Sequence, residues 1–551
     1  MRFLKLLFSS FTRTERVVAV IAAIIACVSF AGLALLFLQK ATTTAPARGG
    51  EYAEGFAGQP AYVNPLLAQS TVDRSLVRLL FSNLTDLSDK IEFSNYGRTV
   101  NVRLKESAAW SDGAKLTSDD VIFTVQKIQD PETGSPLFAS WQGVTVGRVS
   151  ELELKFNLAN SYAFFADNLK ELYIIPKHLF ADVPSVNWRL SEYNLKPIGS
   201  GPYAFDRYEK RSDGFIESYR AIPNTHYFGV RPFIDRMVFA FFPKEEDVIK
   251  AFNAGVVDGF AEQSPGEPST IERPYQESGF SLPSYYAVFF NQSQNLPLQD
   301  PAVREALLRS TNREEALKRA VDGKGTAVRG PIPETIPDLS LDIYPEEFDI
   351  DAANTKLEIN GWKLSDEGVR VKMIKNASLT LAFDLTVPDV PFLVRTAQAL
   401  VEMWAKIGAR VNVITVAPQD VVNTVIKNRA YNALLFGNVL SPSGDLFSFW
   451  HSSERFYPGL NLALYSNKKV DAAIESVRQD QDADARREQF TSLANTILND
   501  MPAIFLYSPA NRYITSKDVY GANPGFISEP ADRFLQAGNW YVKTARVLKD
   551  K

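Results

Sequence analysis

From Val17 to Leu38 the chain reads VVAVIAAIIACVSFAGLALLFL, with no charged residue. At 1.5 Å per residue, a helix of this length crosses a hydrocarbon core of roughly 30 Å. Elsewhere apolar and polar positions mix at two periods. Asn101 to Leu104 alternates as a strand does. Thr117 to Lys127 opens with a Thr cap, places Asp119 and Asp120 in its first turn and continues as an apolar stripe, which predicts a helix. Leu379, Leu381, Phe383 and Leu385 alternate with Thr380, Ala382, Asp384 and Thr386, which predicts one strand. Asp389 is placed to cap a helix on which Leu393, Ala397, Leu400, Val401 and Trp404 recur at helical spacing. Gly408 suits its end, and Val411, Val413 and Val416 supply a further strand. Such a strand–helix–strand unit is expected to be parallel and right-handed. Pro301 to Ala320 predicts another helix, with Pro in its first turn. The pattern is that of mixed α/β lobes behind an apolar leader.

Arg2, Lys5, Arg13 and Arg16 precede the apolar segment, opposed only by Glu15. The positive-inside rule puts this end in the cytoplasm and everything after Lys40 outside. Three readings fit the segment. A cleaved signal peptide has a shorter apolar region, of about 7–15 residues, and Ala45-Pro46-Ala47 lies past the apolar end. A lipoprotein signal would modify Cys27, yet Ile25 stands where a small residue is expected and mostly apolar residues follow. An uncleaved signal anchor fits the length best, with Cys27 as a plain thiol within the span. Gln39 to Gly50 (QKATTTAPARGG) is small and polar and reads as a tether.

Composition narrows the function. The 551 residues correspond to about three structural units. With 45% hydrophobic and 22% charged residues, general disorder is excluded. One Cys permits no intramolecular disulfide, and three dispersed His (His178, His226, His451) make a shared metal site improbable. A net charge of -5 argues against nucleic acid as partner. No nucleophile elbow, Ser-x-x-Lys set or H-E-x-x-H occurs, so an enzyme is disfavoured. Gly323 to Gly330 (GKGTAVRG) lacks Walker spacing and reads as a turn. Asp338 to Asn354 lacks the Gly and terminal Glu of a calcium loop and reads as a solvated loop entering a helix. The aromatic–polar mixtures Ser284 to Asn291 and Asp445 to Gly459 suit a ligand pocket.

Several local patterns, in order, carry a resemblance. Val63-Asn64-Pro65-Leu66-Leu67 is followed by Val100 to Val125 (VNVRLKESAAWSDGAKLTSDDVIFTV): a strand, a Trp-Ser-Asp-Gly turn and a Thr-capped helix. Then come Pro176-Lys177-His178, Ile198-Gly199-Ser200-Gly201-Pro202-Tyr203, Asn224 to Phe228 and Ala254 to Asp258. Phe290-Asn291 with Asp300 to Ala306, Ala405 to Val411 and Asn461 to Asn467 complete the series. From about Glu51 onward the chain resembles the family 5 extracellular solute-binding proteins, the oligopeptide- and dipeptide-binding components of ABC importers. The resemblance implies an α/β, two-lobed periplasmic-binding-protein-like fold of class II type, with cleft and hinge, behind an N-terminal transmembrane helix. The expected division is 1–16 cytoplasmic, 17–38 membrane anchor, 39–50 linker, 51–79 with 191–284 and 506–545 as the core of lobe I, 80–190 inserted into that lobe, and 285–505 as lobe II.

Capture by hinge closure is then expected, with short peptides or related small solutes as ligand and permease subunits as partners. No cofactor, a monomeric state and an extracytoplasmic bulk are expected with it. The family's amine-anchoring Asp, which precedes a Phe-rich stretch, matches Asp445 in Ser443-Gly444-Asp445-Leu446-Phe447; a helix N-cap is an equal structural reading of that residue. The family's Trp before this Asp and Pro after it are replaced by Leu440-Ser441-Pro442 and Leu446, which weakens the match to peptide. Asn291, Tyr62 and Phe436 are further pocket candidates, with core or hinge packing as their alternative. A sensing ectodomain without transport, or a binder of a non-peptide solute, is the other class that fits. Nickel and haem binders occur among relatives, and the sparse His weighs against both.

Overall fold

The computed structural model describes residues 12–262, 265, 270–337, 339, 341–343, 347–375 and 377–548. Arg2 and Lys5, and part of the acidic run at 338–354, lie outside the described residues. The apolar leader forms one helix, Arg13–Ala41, about 43 Å long at 1.5 Å per residue. Its window Arg13–Leu33 has a mean hydropathy of 2.4 and packs against no other part of the chain, so by length and composition it can cross a membrane. Cys27 is exposed midway along it. The helix runs directly into a strand, Thr42–Ala47, which pairs antiparallel with Lys543–Leu548 at the other end of the chain. The stretch that composition marks as a tether is therefore partly a β-ribbon, because its partner lies some 500 residues away and leaves no local signal.

Two large sheets organise the rest. An eight-stranded sheet has Glu51–Ala57 and Arg236–Phe242 as a parallel pair near its middle, and ends in the antiparallel strands Ile216–Pro223 and Tyr203–Lys210. A six-stranded sheet is built around Ser284–Phe290, Ala433–Val439 and Ala382–Pro388. The chain passes from the first sheet to the second after Tyr275–Ser281, and returns between Ala503–Pro509 and Asn511–Ser516. These two crossings are where a rotation of one lobe on the other has to be taken up.

The second sheet is buried on both faces. Along Ser284–Phe290, Tyr285, Ala287 and Phe289 join one core cluster, and Val288 and Phe290 the cluster on the opposite face. The aromatic–polar run that suits a pocket by composition is thus a central strand. Ala382–Pro388, the helix Pro391–Ala405 and Arg410–Val416 form the expected parallel unit. Three local readings shift. The alternation at 379–385 changes sheets at Leu381, giving Ala377–Thr380 in a small three-stranded sheet before Ala382–Pro388 begins. Val390, not Asp389, caps the following helix, because Pro391 needs no amide partner at its first position. Pro301–Ala320 is two helices, Pro301–Arg309 and Arg313–Val321. Ser310 and Thr311 bond back to the Leu307 carbonyl, and the Asn312 side chain starts the second by accepting from Glu315 N.

A third block carries the four-stranded antiparallel sheet Ser88–Ser94, Thr99–Leu104, Glu153–Leu158 and Val144–Arg148, covered by the helix Ser118–Ile128. Asp120 caps that helix start by accepting from Thr117 N at 2.9 Å. Its hydrophobic core is continuous with that of the eight-stranded sheet. The buried Arg78, on the helix Thr71–Leu80, ties the two together: it bonds Asp532 at 2.7 Å, Glu529 at 2.7 Å and Glu171 at 2.6 Å. Gly199 and Gly201 have a packing reason at the same junction. A Cβ on Gly199 would stand 1.9 Å from the Leu80 carbonyl oxygen, and one on Gly201 2.6 Å from that of Leu79. The Trp-Ser-Asp-Gly turn is likewise structural: Asp112 Oδ1 accepts from Ala114 N at 3.0 Å, and Gly113 has φ of +89°.

Candidate functional site

The block that holds the four-stranded sheet leans on the lobe of the six-stranded sheet through one short segment. Ala163 N donates to the Arg478 carbonyl at 2.7 Å, and Ser161 Oγ to the Gln479 carbonyl at 2.9 Å. Ser443 Oγ donates to Asp167. Phe164 is 4% exposed although it starts the helix Phe165–Glu171 of the first block, because its ring enters the other lobe's core and stacks on Phe490 at 6.2 Å. These contacts border a cleft of about 770 Å³.

One wall of the cleft is formed by residues 139–144, from the short helix Phe138–Trp141 to the start of the strand Val144–Arg148, with Leu158–Tyr162; the other comprises Asp445, Phe447, Ser448, Glu454, Glu475, Arg478 and Gln479. The second wall has a local cause. Gly444, at φ +74°, turns the chain beneath Leu339, and Asp445 Oδ1 then accepts from Phe447 N at 3.0 Å, which fixes the carboxylate at the start of Phe447–Trp450. The helix Lys468–Gln479, started by the Asn467 side chain, brings Glu475 and Arg478 to the same wall.

Asp445 is the meeting point. Its Oδ2 accepts from the Tyr162 hydroxyl at 3.2 Å and lies 3.2 Å from Arg478 Nε. The Arg478 guanidinium lies between two rings, 4.2 Å from the Phe447 centroid and 4.9 Å from that of Tyr162. Burial pushes the Tyr162 hydroxyl well above its ordinary pKa and the Asp445 charge adds to this against Arg478, so at neutral pH it is a donor. The cleft holds three carboxylates, Asp445, Glu454 and Glu475, against the single guanidinium of Arg478. Its field favours a cationic group. His451, stacked on Phe447 at 4.4 Å, places Nε2 3.4 Å from Glu475 Oε1.

Of the four single residues picked out by sequence, only Asp445 lies on this cleft, and the aromatic–polar run Asp445 to Gly459 also brings Phe447, Ser448 and Glu454 to it. Asn291 is fully buried: its side-chain amide donates to the Arg429 carbonyl at 3.0 Å, and its oxygen accepts from Ser293. Phe436 packs from its strand against the core beside Tyr285 and Phe289. Tyr62 sits in the other lobe, its amide donating to Asp73 at 2.9 Å and its ring under Arg189 at 5.2 Å. Tyr162, Arg478 and Glu475 carry no motif and are separated from Asp445 by up to 283 residues; no sequence signal marks them. Among the described residues, no group of three or more His, Cys, Asp or Glu is placed to hold a metal ion. His178 instead bonds Asp112 at 2.9 Å.

A second cavity, of about 400 Å³, opens beside the first-lobe strand Glu51–Ala57, lined by Phe56, Gln59, Val72, Glu262 and Arg533 among others. Beneath it lies a fully buried charge cluster. Glu54 accepts from both Tyr52 and Tyr513 hydroxyls at 2.5 and 2.9 Å, and from Arg533 at 2.9 Å. Every oxygen and donor in that cluster has a partner, which is the condition under which a buried ion pair persists.

The family model for bacterial extracellular solute-binding proteins, family 5 Middle, matches residues 63–456. The oligopeptide-binding protein AppA of Bacillus subtilis is 25% identical over 510 residues, 88% of this chain and 90% of its own length. The dipeptide-binding protein of Escherichia coli is 23% identical and covers 82% of this chain and 87% of its own length. The crystal structure of the ABC transporter substrate-binding protein CtaP from Listeria monocytogenes superposes with a TM-score of 0.77 at 23% identity, over 90% of this chain and 99% of that one. The two-lobed α/β fold and the placement among substrate-binding proteins, which are not enzymes, follow.

Proposed function

Because the chain belongs to the bacterial extracellular solute-binding proteins of family 5, we propose that it captures short peptides between its lobes by hinge closure and delivers them to the permease of an ABC importer. It does so from the outer face of the membrane, held there by Arg13–Ala41 as a single-pass anchor and acting as a monomer. Lobe I is residues 51–79, 191–284 and 506–545 with the insertion 80–190, and lobe II is 285–505. The distribution of strands between the two large sheets supports this division in outline, but Ser284–Phe290 and Ala503–Pro509 both pair within the second sheet, which moves the crossings to just before Ser284 and just after Pro509. The Arg78 cluster makes the insertion move with lobe I.

The observation that carries the peptide reading is the acidic cleft centred on Asp445. A peptide's α-ammonium approaching it meets a carboxylate already fixed by the Phe447 amide, and Glu475 and Glu454 beyond. The ammonium competes with Arg478 for Oδ2; a displaced guanidinium keeps the Phe447 and Tyr162 rings and has Glu475 on the same wall as its alternative partner. Removing one partner of such a desolvated pair typically costs roughly 2–5 kcal/mol. The test is calorimetric titration of the full-length protein with free and N-acetylated peptides. Free peptides bind, acetylation removes binding, and Asp445→Asn abolishes the discrimination. Equal affinity for free and acetylated peptides would refute Asp445 as amine anchor; binding of no peptide would refute the ligand class.

A further inference from the structure

The ribbon of Thr42–Ala47 and Lys543–Leu548 meets the lobes at its far end, where Gly49 N donates to the Phe233 carbonyl at 2.7 Å. Lys543–Leu548 is exposed at every position, and Thr42–Ala47 is at most half-buried. Neither strand belongs to either large sheet or to any core cluster. A lone two-stranded ribbon is marginal in water. Its register is complete over all six pairs, from Thr42↔Leu548 to Ala47↔Lys543, and a surface lying against its membrane end would add to its stability.

The chemistry of the ribbon identifies what that is. Ala41 ends the apolar helix and Thr42 begins the strand, so the pairs Thr42↔Leu548 and Thr43↔Val547 are those nearest the membrane. They present Leu548 at 73% and Val547 at 43% exposure. Thr43, Ala45, Ala47, Lys543, Ala545 and Val547 share one face by alternation, and Leu548 lies on the other with Arg546. Neither strand contains a carboxylate, whereas Lys40, Arg48, Lys543 and Arg546 are all exposed on or beside them. Exposed Val547 and Leu548 at the foot, with Lys40 preceding the strand and Arg546 two residues from Leu548, match a bilayer surface with anionic headgroups.

We infer that the ribbon is a second membrane contact, in which Val547 and Leu548 enter the headgroup layer beside the emerging helix and Lys40 and Arg546 face lipid phosphates. The inference rests on the anchor reading above. It makes the C-terminal strand a clamp that fixes how the lobes stand on the membrane. It also opposes processing at Ala45-Pro46-Ala47, which would remove the whole partner of Lys543–Leu548.

The test is amide hydrogen exchange of the full chain reconstituted in vesicles of phosphatidylcholine alone or with phosphatidylglycerol. Each cation near an anionic surface contributes about fivefold, so exchange at residues 543–548 should slow at least fivefold with phosphatidylglycerol while the lobes are unchanged. Arg546→Glu with Leu548→Asp should erase that difference. Equal exchange in both lipids would overturn the inference and leave the anchor reading standing. A chain isolated from its native membrane that begins after Ala47 would overturn the anchor reading as well.

Discussion

Phe164→Ala separates a closure contact from a folding contact. The ring belongs to the insertion and is 4% exposed only because it enters lobe II and stacks on Phe490. Burying a Phe side chain is worth about 1.5–3 kcal/mol, and a well-placed aromatic pair adds about 0.5–1.5 kcal/mol. If lobe II swings away in the unliganded state, that free energy belongs to closure. Its loss should then weaken peptide affinity by about 30- to 1,600-fold, at 1.4 kcal/mol per factor of ten. The melting temperature of the unliganded protein should stay within about 1 °C, since its open state does not contain the contact. Calorimetric titration and thermal unfolding on the same variant provide both numbers. A melting temperature that falls by several degrees with an unchanged dissociation constant would refute the reasoning, because the contact would then be permanent.

Other consequences are more local. Arg533→Met leaves Glu54 buried without its cation and should cost about 3–5 kcal/mol in denaturant unfolding; a cost under about 1 kcal/mol would mean the two tyrosine hydroxyls suffice. Gly199→Ala drives a Cβ against the Leu80 carbonyl and should destabilise by at least about 2 kcal/mol or prevent folding, which soluble yield and melting temperature report. Asp300 accepts from Ala302 N at 3.0 Å, Trp362 Nε1 at 3.0 Å and Lys372 Nζ at 2.8 Å. Burial opposes its ionisation, but these partners outweigh it and hold its pKa below the ordinary value. Asp300→Ala should therefore cost about 1–3 kcal/mol at pH 7. Because the folded value is depressed, that difference is present above about pH 4 and shrinks as pH falls through the folded value; a difference that grows on acidification would contradict it.

The lobes were legible where periodicity is local. The parallel unit built on Ala382–Pro388 and Arg410–Val416 and the capped helix Ser118–Ile128 follow from spacing and caps. The ordered motifs carried the family, and the structure supplies a physical reason for several of them: Gly199 and Gly201 admit no Cβ, and Gly113 closes a turn. The break at Leu381 escaped periodicity because its strands pair with different sheets, whereas the break at Ser310–Asn312 is made by local bonds and the Asn312 cap, which an apolar stripe running through both helices hides. The site was legible at Asp445 and in the aromatic–polar run that follows it, which supplies Phe447, Ser448 and Glu454. Tyr162 and Arg478 converge on it from a loop and a helix with no motif, and Asn291 looked functional by position in a motif whose role is to satisfy a buried loop. The ribbon was invisible for the same reason as the cleft: its two halves sit at opposite ends of the chain.

The most direct measurement is native mass spectrometry of the full-length protein purified from its own membrane, followed by identification of what it releases on denaturation. The account predicts a set of short peptides with free amino termini, lost from Asp445→Asn. Release of a single non-peptide solute, retained equally by Asp445→Asn, would contradict it.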